Sequence, residues 1–270
     1  MNPQQWDGLH DGRLSEMLQV ADLAGRHTLQ YFRDDLLEIE SKSDHSPVTV
    51  ADREAEALVR ERLAKSFPDD AVMGEEMPDT EGRSEYGWII DPIDGTKSFI
   101  CGVPLYSTLL ALQHEGRCVA GMIFMPALQQ AIVAANGQGA WYRHKSDHWS
   151  PATVRDRADI GGGVLLLSQR DTFADRDAEA ALKELESRCA ITRTWGDGYG
   201  YFLVATGRAD IMIDAECNAW DVAAIEPIIR EAGGTFTDWN GDARIDGGDG
   251  VGTGGNIHAE VLAILRGSDR

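Results

Sequence analysis

The chain lacks the features of a membrane-bound or secreted protein. No apolar run approaches the roughly 20 residues of a membrane span, and Met1 to His10 lack the charged and apolar regions of a signal peptide. The four cysteines form no Cys-x-x-Cys pair, so neither a zinc knuckle nor a disulfide framework is indicated. We therefore expect a cytoplasmic protein without a membrane partner.

Positive charge is also scarce. The chain has 25 lysines and arginines against 45 aspartates and glutamates, which gives a formal net charge of −20 at pH 7. This excess disfavours nucleic acid and anionic lipid as partners. Most of these acids belong to solvated surface, but Glu75, Glu76, Asp91 and Asp94 lie close together in the sequence. Several carboxylates held together repel one another unless cations compensate them.

The apolar pattern divides the chain into residues 1–145 and 146–270, with the polar stretch Lys145 to Asp159 as the expected link. The first half begins with an amphipathic helix, about Arg13 to Phe32, and continues with alternating segments typical of an antiparallel sheet. In the second half strands alternate with helices, which is typical of α/β layering. The pattern predicts a layered α/β (α+β) fold.

Three local predictions concern the acidic segments. Asp52 precedes an amphipathic helix and is the expected N-cap. Trp88 to Ile90 form a buried strand, which Pro92 is expected to stop because it has no N–H to donate. A helix from Asp221 to Glu231 is expected to kink at Pro227.

The stretch Trp88-Ile89-Ile90-Asp91-Pro92-Ile93-Asp94-Gly95-Thr96 leads an apolar strand into two aspartates. For a single aspartate a surface turn is the commoner explanation, but two at a strand end with glutamates nearby favour a metal site. Oxygen ligands of this kind suit Mg²⁺. Hydrolytic zinc is a weaker alternative, because these segments contain no histidine or cysteine and the chain has no His-Glu-x-x-His.

Other catalytic motifs fit less well. Ile93-Asp94-Gly95-Thr96 resembles the end of the Asp-x-Asp-Gly-Thr motif, but Asp91 lies three residues before Asp94, which disfavours an aspartyl nucleophile. Residues 250–255 satisfy Gly-x-Gly-x-x-Gly, yet the 15 residues that follow leave no room for a dinucleotide-binding βαβ unit. Since Gly-x-Ser-x-Gly and a Walker lysine loop are missing too, hydrolysis by metal-activated water remains.

Several separated motifs together resemble the inositol monophosphatase family. They are Pro47-Val48-Thr49-Val50-Ala51-Asp52, Gly74-Glu75-Glu76, the stretch Trp88 to Thr96, Trp220-Asp221-Val222-Ala223 and Glu231-Ala232-Gly233-Gly234. The resemblance covers nearly the whole chain and implies the family's αβαβα sandwich. Lys97-Ser98-Phe99, Gly102 to Tyr106 and Gly234 to Trp239 look more like its histidinol-phosphate phosphatase branch, because the inositol branch usually has Thr-Asn-Phe.

The resemblance implies two Mg²⁺ ions, a third held more loosely, and a homodimer. Glu75, Asp91 and the Ile93 carbonyl would hold the first ion. Asp91, Asp94 and Asp221 would hold the second, and Asp91 would bridge the pair. The third ion would lie between Asp52 and Glu75, which places Asp52 in the catalytic set.

The resemblance also assigns the water and phosphate sites. Thr96 would help Glu75 orient the attacking water, and the N–H groups of Gly95 and Thr96 would cradle phosphate at a helix start. Without the resemblance, Thr96 is equally well explained as an N-cap. The expected substrate contacts are Asp94, Gly95, Thr96, Asp197, Asp214 and Asp221.

Acidic residues beyond the metal site bear on the substrate. Asp214 and Glu216 precede Asp221, and Asp197 lies in the segment that resembles the family's substrate-contact region. Extra carboxylates favour a phosphate monoester with an ammonium group, as in L-histidinol phosphate. The alternatives are an inositol monophosphatase or broad sugar-phosphate phosphatase, and a catalytically silent metal-binding scaffold of the same fold.

Overall fold

The computed structural model describes residues 2–42, 47–145 and 148–267, so positions 146 and 147 of the predicted link lie outside it. The helices are α1 (Arg13–Thr28), α2 (Val50–Ser66), α3 (Thr96–Ile100), α4 (Asp171–Asp175), α5 (Glu179–Arg188), α6 (Asp197–Ala205), α7 (Ala219–Val222), α8 (Ile225–Glu231) and α9 (His258–Leu265). The strands are β1 (Ile39–Ser41), β2 (Pro47–Thr49), β3 (Ala71–Gly74), β4 (Tyr86–Asp94), β5 (Ser107–His114), β6 (Arg117–Met125), β7 (Gln130–Ala135), β8 (Gly139–His144), β9 (Ser150–Ala152), β10 (Val164–Leu167), β11 (Ile191–Arg193), β12 (Ile211–Asp214), β13 (Thr235–Thr237) and β14 (Gly250–Thr253). Among the described helices, none is long and apolar enough to cross a membrane.

The elements stack in five layers, which confirms the predicted sandwich. Helices α1 and α2 cover one face of a sheet with the order β3-β4-β5-β6-β7-β8-β9, and α6 and α8 pack on its other face. These two helices also contact a second sheet with the order β11-β10-β12-β14-β13, whose far face is covered by α5 and α9. The first sheet is antiparallel except for the β3–β4 pair, and the second is mixed. Strand β9 pairs with β8, so the first sheet extends past residue 145.

Strand β4 continues through Pro92 to Asp94, so the proline interrupts the regular pairing as predicted but does not end the strand. The register of β4 against β5 shifts between Asp91 and Asp94. On the other side β3 ends opposite Ile90, and Pro92 therefore has no strand there that requires an N–H donor. The Thr108 hydroxyl donates to the Pro92 carbonyl at 2.9 Å. The irregular strand end carries both aspartates to the edge of the sheet.

Asp52 is not the N-cap of α2, contrary to the sequence prediction. Thr49 is the N-cap, and Asp52 is the third helical residue of a capping box. Its Oδ2 accepts from the Thr49 N–H at 2.8 Å and from the Thr49 hydroxyl at 2.6 Å. Thr and Asp are both good capping residues, so composition alone did not separate the two roles.

The residues predicted as one kinked helix form two helices. α7 ends at Val222 and α8 begins at Ile225, so Pro227 lies in the first turn of α8. There its missing N–H would have no intrahelical acceptor in any case, and the chain breaks before the proline instead of kinking at it. The break leaves Asp221 on a separate helix of 4 residues.

Candidate active site

A cavity of about 390 Å³ lies where the ends of β4 and β12 meet the starts of α3, α6 and α7. The predicted site residues on its wall are Glu75, Asp91, Ile93, Asp94, Gly95, Thr96, Asp197, Asp214 and Asp221. Asp52 is fully buried and is not on the wall, although the Glu75 charge acts on it. The fold thus brings together segments that are far apart in the sequence.

Asp91 is a buried carboxylate of the predicted metal site. It is 2% exposed, and burial, followed by the charges of Glu75, Asp94 and Asp221, raises its pKa well above the ordinary value. Within the described residues its Oδ1 is buried and has no hydrogen-bond partner. A buried carboxylate in this condition is stabilised by a cation.

Asp94 joins the first sheet to helix α6 through its Oδ2. This oxygen accepts from the Ser107 hydroxyl and, at 2.8 Å, from the Gly198 N–H at the start of α6. A Cβ on Gly198 would lie 2.8 Å from the same oxygen and 2.5 Å from Ser107 Oγ, so the approach requires glycine. Burial and then Asp197 raise the pKa of Asp94 well above its usual range.

Lys42 balances the two glutamates that follow β3. Its Nζ lies 2.6 Å from a carboxylate oxygen of Glu75 and 2.6 Å from one of Glu76. Burial raises the pKa of Glu76 to about 7, and Lys42 opposes that effect. The buried carboxylate of Glu56 fixes the turn from the other side, since it accepts from the Glu76 N–H at 2.8 Å and from Arg60 Nε at 2.7 Å.

Asp221 and Asp52 are alike in using one oxygen to begin a helix. Asp221 Oδ2 accepts from the Asn218 N–H at 2.6 Å, as Asp52 Oδ2 does from Thr49. In the part of the chain that the structure describes, Asp52 Oδ1 is buried and has no partner. Burial raises the pKa of Asp221 to about 7, although the hydrogen bond from the Asn218 N–H acts to lower it.

The donor set fits Mg²⁺. Over residues 2–42, 47–145 and 148–267, no three acidic, histidine or cysteine side chains are placed so that they could hold a metal ion without moving, and Glu75 faces Lys42. The two orphaned oxygens of Asp52 and Asp91, together with the mutual repulsion around Asp91, nevertheless mark a place for hard cations. All the groups concerned are oxygen donors, as Mg²⁺ prefers.

Thr96 is the first residue of α3 and not its N-cap, which is Gly95 at φ +78°. The N-cap explanation of Thr96 is therefore wrong. Its hydroxyl donates to the Ile93 carbonyl at 3.0 Å, so the two groups face the cavity as a pair. The Gly95 conformation is unfavourable for other residues, and a Cβ there would lie 2.8 Å from Asp197 Oδ2.

Asp214 lies at the end of β12, between two hydroxyl groups that the sequence analysis did not single out. Ser168 donates to its Oδ1, and Tyr201 donates to its Oδ2 at 2.8 Å. Ser168 also accepts from the Asp197 N–H at 2.8 Å. Burial raises the pKa of Asp214 to about 7, whereas both hydroxyls favour the charged form.

Two of these missed residues left a signal in the sequence. Ser168 directly follows the predicted strand that is now β10, and polar residues after parallel strands often line sites. Tyr201 lies one helical turn after Asp197 on α6, and therefore on the same face. No sequence signal pointed to Lys42, because it lies 33 positions before its partner Glu75. Lys97, whose ammonium donates to Gln169 across the cavity mouth, was noted only for the branch resemblance.

Comparison with known proteins decides the family. The family model described as "Inositol monophosphatase family" matches residues 13–269. The chain belongs to the inositol monophosphatase family. Members of this family are phosphatases that act on small phosphate monoesters and depend in general on Mg²⁺, so the chain is a phosphomonoesterase by membership.

Individual relatives of this inositol monophosphatase family member have different names. A histidinol-phosphatase of Chlorobaculum parvum is 39% identical, with 93% of this chain and 95% of that protein covered. One from Mycobacterium tuberculosis is 37% identical, with 92% and 95% covered. Among solved structures, the extragenic suppressor protein suhB of Bartonella henselae has a TM-score of 0.85 at 26% identity, with 94% and 98% covered. The two curated relatives are thus named for one activity, whereas the name of the solved structure states no substrate.

Proposed function

We propose that this protein hydrolyses L-histidinol phosphate to L-histidinol and phosphate with Mg²⁺, as a step of histidine biosynthesis. The observation that carries the proposal is a single cavity with two groups of carboxylates. Asp91 and Asp94 lie at the end of β4, whereas Asp197 lies at the start of α6 and Asp214 at the end of β12. The first group suits metal ions beside a phosphate, and the second suits an ammonium group.

The metal ligands we propose are those of the family pattern. Glu75, Asp91 and the Ile93 carbonyl would hold one ion, and Asp91, Asp94 and Asp221 would hold the second. Asp52 would serve a third through its Oδ1, which has no partner among the described residues. When bound, Mg²⁺ supplies positive charge that polarises the phosphate ester and makes a water nucleophilic near neutral pH. The protein's part is to bury these carboxylates so that a cation is strongly favoured among them.

The chain itself orients the water and the phosphate. We assign the water to Thr96 and Glu75, because the Thr96 hydroxyl is held by the Ile93 carbonyl and Glu75 lines the same cavity. The N–H groups of Gly95 and Thr96, at the start of α3, would donate to phosphate oxygens. Among the described lining residues Lys97 is the one cation, so the phosphate charge falls mostly to the metal ions and backbone.

The alcohol part of the substrate would meet Asp197 and Asp214. Asp214 is buried and Asp197 is half-buried, and neither has a salt bridge to a basic side chain among the described ion pairs, although the Lys97 charge opposes the rise that burial causes in the pKa of Asp197. A ligand with an ammonium group would supply the missing charge, whereas a neutral polyol would not. The two histidinol-phosphatase relatives support the same choice.

A phosphate-release assay with Mg²⁺ tests the proposal. L-Histidinol phosphate, inositol 1-phosphate and a sugar phosphate would be compared by kcat/KM, with a chelator as control. We expect L-histidinol phosphate to lead by at least about tenfold, the effect of one well-placed charge pair. Preference for inositol 1-phosphate would replace the substrate assignment, and no release from any monoester would favour the silent scaffold. We also propose a homodimer, which light scattering on the purified protein tests.

A further inference from the structure

The carboxylate of Asp214 is oriented by hydroxyl groups alone among the described hydrogen bonds. Ser168 donates to Oδ1 and Tyr201 to Oδ2. Asp214 is 7% exposed and stands on the cavity wall. Because both donors are uncharged, they fix the direction of the carboxylate without neutralising it. A carboxylate held in this way remains available to a positive group of a ligand.

The ring of Tyr201 packs on strand β14, and its hydroxyl contacts Asp214 on the neighbouring strand β12. Its side chain is 1% exposed, and its ring lies against the backbone of Gly250 and Gly252. A Cβ on Gly252 would lie 2.9 Å from two ring carbons, and one on Gly250 would lie 3.0 Å from the hydroxyl oxygen. Because Gly250 and Gly252 have no side chains, they leave the space that the tyrosine ring occupies. This accounts for the Gly-x-Gly pattern, which lies within an antiparallel strand pairing with β12 and β13.

We infer that Tyr201 is a positioning residue for substrate selection, which aims the Asp214 carboxylate at the ammonium group of the substrate, and that Gly252 leaves the room this requires. The inference rests on the proposed function, because it names how the same cavity selects its substrate. Tyr201 acts through Asp214, so its removal affects binding of the cationic part and leaves the phosphate end of the cavity intact.

The test is Tyr201→Phe, which removes the hydroxyl and keeps the ring that packs against β14. We expect KM for L-histidinol phosphate to rise about tenfold, the usual effect of losing a hydrogen bond to a charged group. We expect kcat, and KM for inositol 1-phosphate, to change less than about twofold. Tyr199→Phe on the same helix is the matched control, since that ring stacks on Phe202, and it should leave both KM values unchanged.

Two further variants separate positioning from a general structural effect. Gly252→Ala keeps the tyrosine hydroxyl but pushes the ring, and should reproduce the rise in KM for L-histidinol phosphate. In an Asp214→Asn background, Tyr201→Phe should raise KM for L-histidinol phosphate by no more than about a further twofold, because the carboxylate through which Tyr201 acts is already removed.

The outcomes are distinct. An equal rise in both KM values, no rise for L-histidinol phosphate, or a full additional rise in the Asp214→Asn background would overturn the inference while the proposed function stands. A wild-type enzyme that ignores L-histidinol phosphate but hydrolyses inositol 1-phosphate would overturn the proposed function, and with it the role of Asp214 and Tyr201 toward an ammonium group.

Discussion

The Gly198 N–H donates to Asp94 Oδ2 at 2.8 Å, and this bond ties the second half of the chain to the end of the first sheet that carries the proposed metal ligands. Asp94 ends β4, and Gly198 is in the first turn of α6. The same first turn contains Asp197, a candidate substrate contact. The distance between Asp94 and Asp197 is therefore set by a direct contact between the Asp94 carboxylate and the backbone of α6.

Substitution of Gly198 should damage both stability and activity. In Gly198→Ala the new methyl would meet Ser107 Oγ at 2.5 Å and Asp94 Oδ2 at 2.8 Å, so α6 has to move. We expect a loss of about 1–3 kcal/mol in the free energy of unfolding, as for other overpacked sites. Urea unfolding measures it. Gly87→Ala is the control, because its nearest neighbours would be at 3.7 Å, and equal losses in the two variants would contradict the argument.

Asp94→Asn should keep the fold and lose activity. An asparagine oxygen still accepts from Ser107 and Gly198, while the substitution relieves repulsion among buried carboxylates. We expect phosphate release to fall by about a hundredfold or more, since even outer partners of metal ligands are worth 10–100-fold. Melting with and without Mg²⁺ should show a metal-free Tm at least as high as that of the wild type and a smaller rise on adding the ion. A rate close to wild type would remove Asp94 from the ligand set.

Lys42 should compete with metal for Glu75. Its ammonium contacts the carboxylates of both Glu75 and Glu76, so a cation that takes Glu75 has to displace it or tolerate a nearby like charge. In Lys42→Ala we expect the Mg²⁺ concentration for half-maximal activity to fall about three- to tenfold. Lys65→Ala, which removes an exposed pair with Glu61, provides the control. A higher Mg²⁺ requirement in Lys42→Ala would mean that Lys42 supports the metal site instead.

His258 should make the protein less stable in mild acid. Burial, and then Arg266, lowers its pKa from 6.5 to about 4, and its ring nitrogens contact the Thr237 and Thr253 hydroxyls. Between these two pH values the unfolded chain binds a proton at this histidine and the folded chain does not. The contribution of the neutral ring is thus complete above pH 6.5 and declines as pH falls toward 4.

The measurement is urea unfolding of the wild type and His258→Gln across that pH range. Acidic groups titrate in both proteins, so the difference between the two curves isolates the histidine. We expect the wild type to lose its advantage as pH falls. Curves that stay parallel would show that His258 is protonated equally in the folded and unfolded states.

The acidic segment at the end of β4 could be predicted from the sequence because its pattern is local. Asp91 and Asp94 follow the apolar run Trp88 to Ile90, and this spacing favoured a metal site. The assignment of Asp221 as a ligand came from the family resemblance, because its position at a helix start is equally explained by capping. The backbone between them was harder to predict. A proline normally ends a strand. Pro92 is accommodated within β4 because β3 ends opposite Ile90 and leaves no partner strand on that side. Pro227 was assigned to a helix interior because nothing in residues 221–231 marks the break that precedes it.

The side chains that orient the acids depend on long-range packing. Lys42 reaches Glu75 across 33 positions, and Ser168 reaches Asp214 across 46. No local pattern encodes such contacts. The capping role of Asp52, in contrast, is encoded locally, since Thr49 and Asp52 have capping-box spacing.

Because Asp52 and Asp221 each accept a backbone N–H, the amide hydrogens of Thr49 and Asn218 report on one carboxylate behind the cavity wall and one on it. Their exchange with deuterium depends on how firmly each carboxylate is held. The proposed ligand set therefore predicts that Mg²⁺ changes the exchange of both amides without substrate, which separates the order of ion binding from turnover.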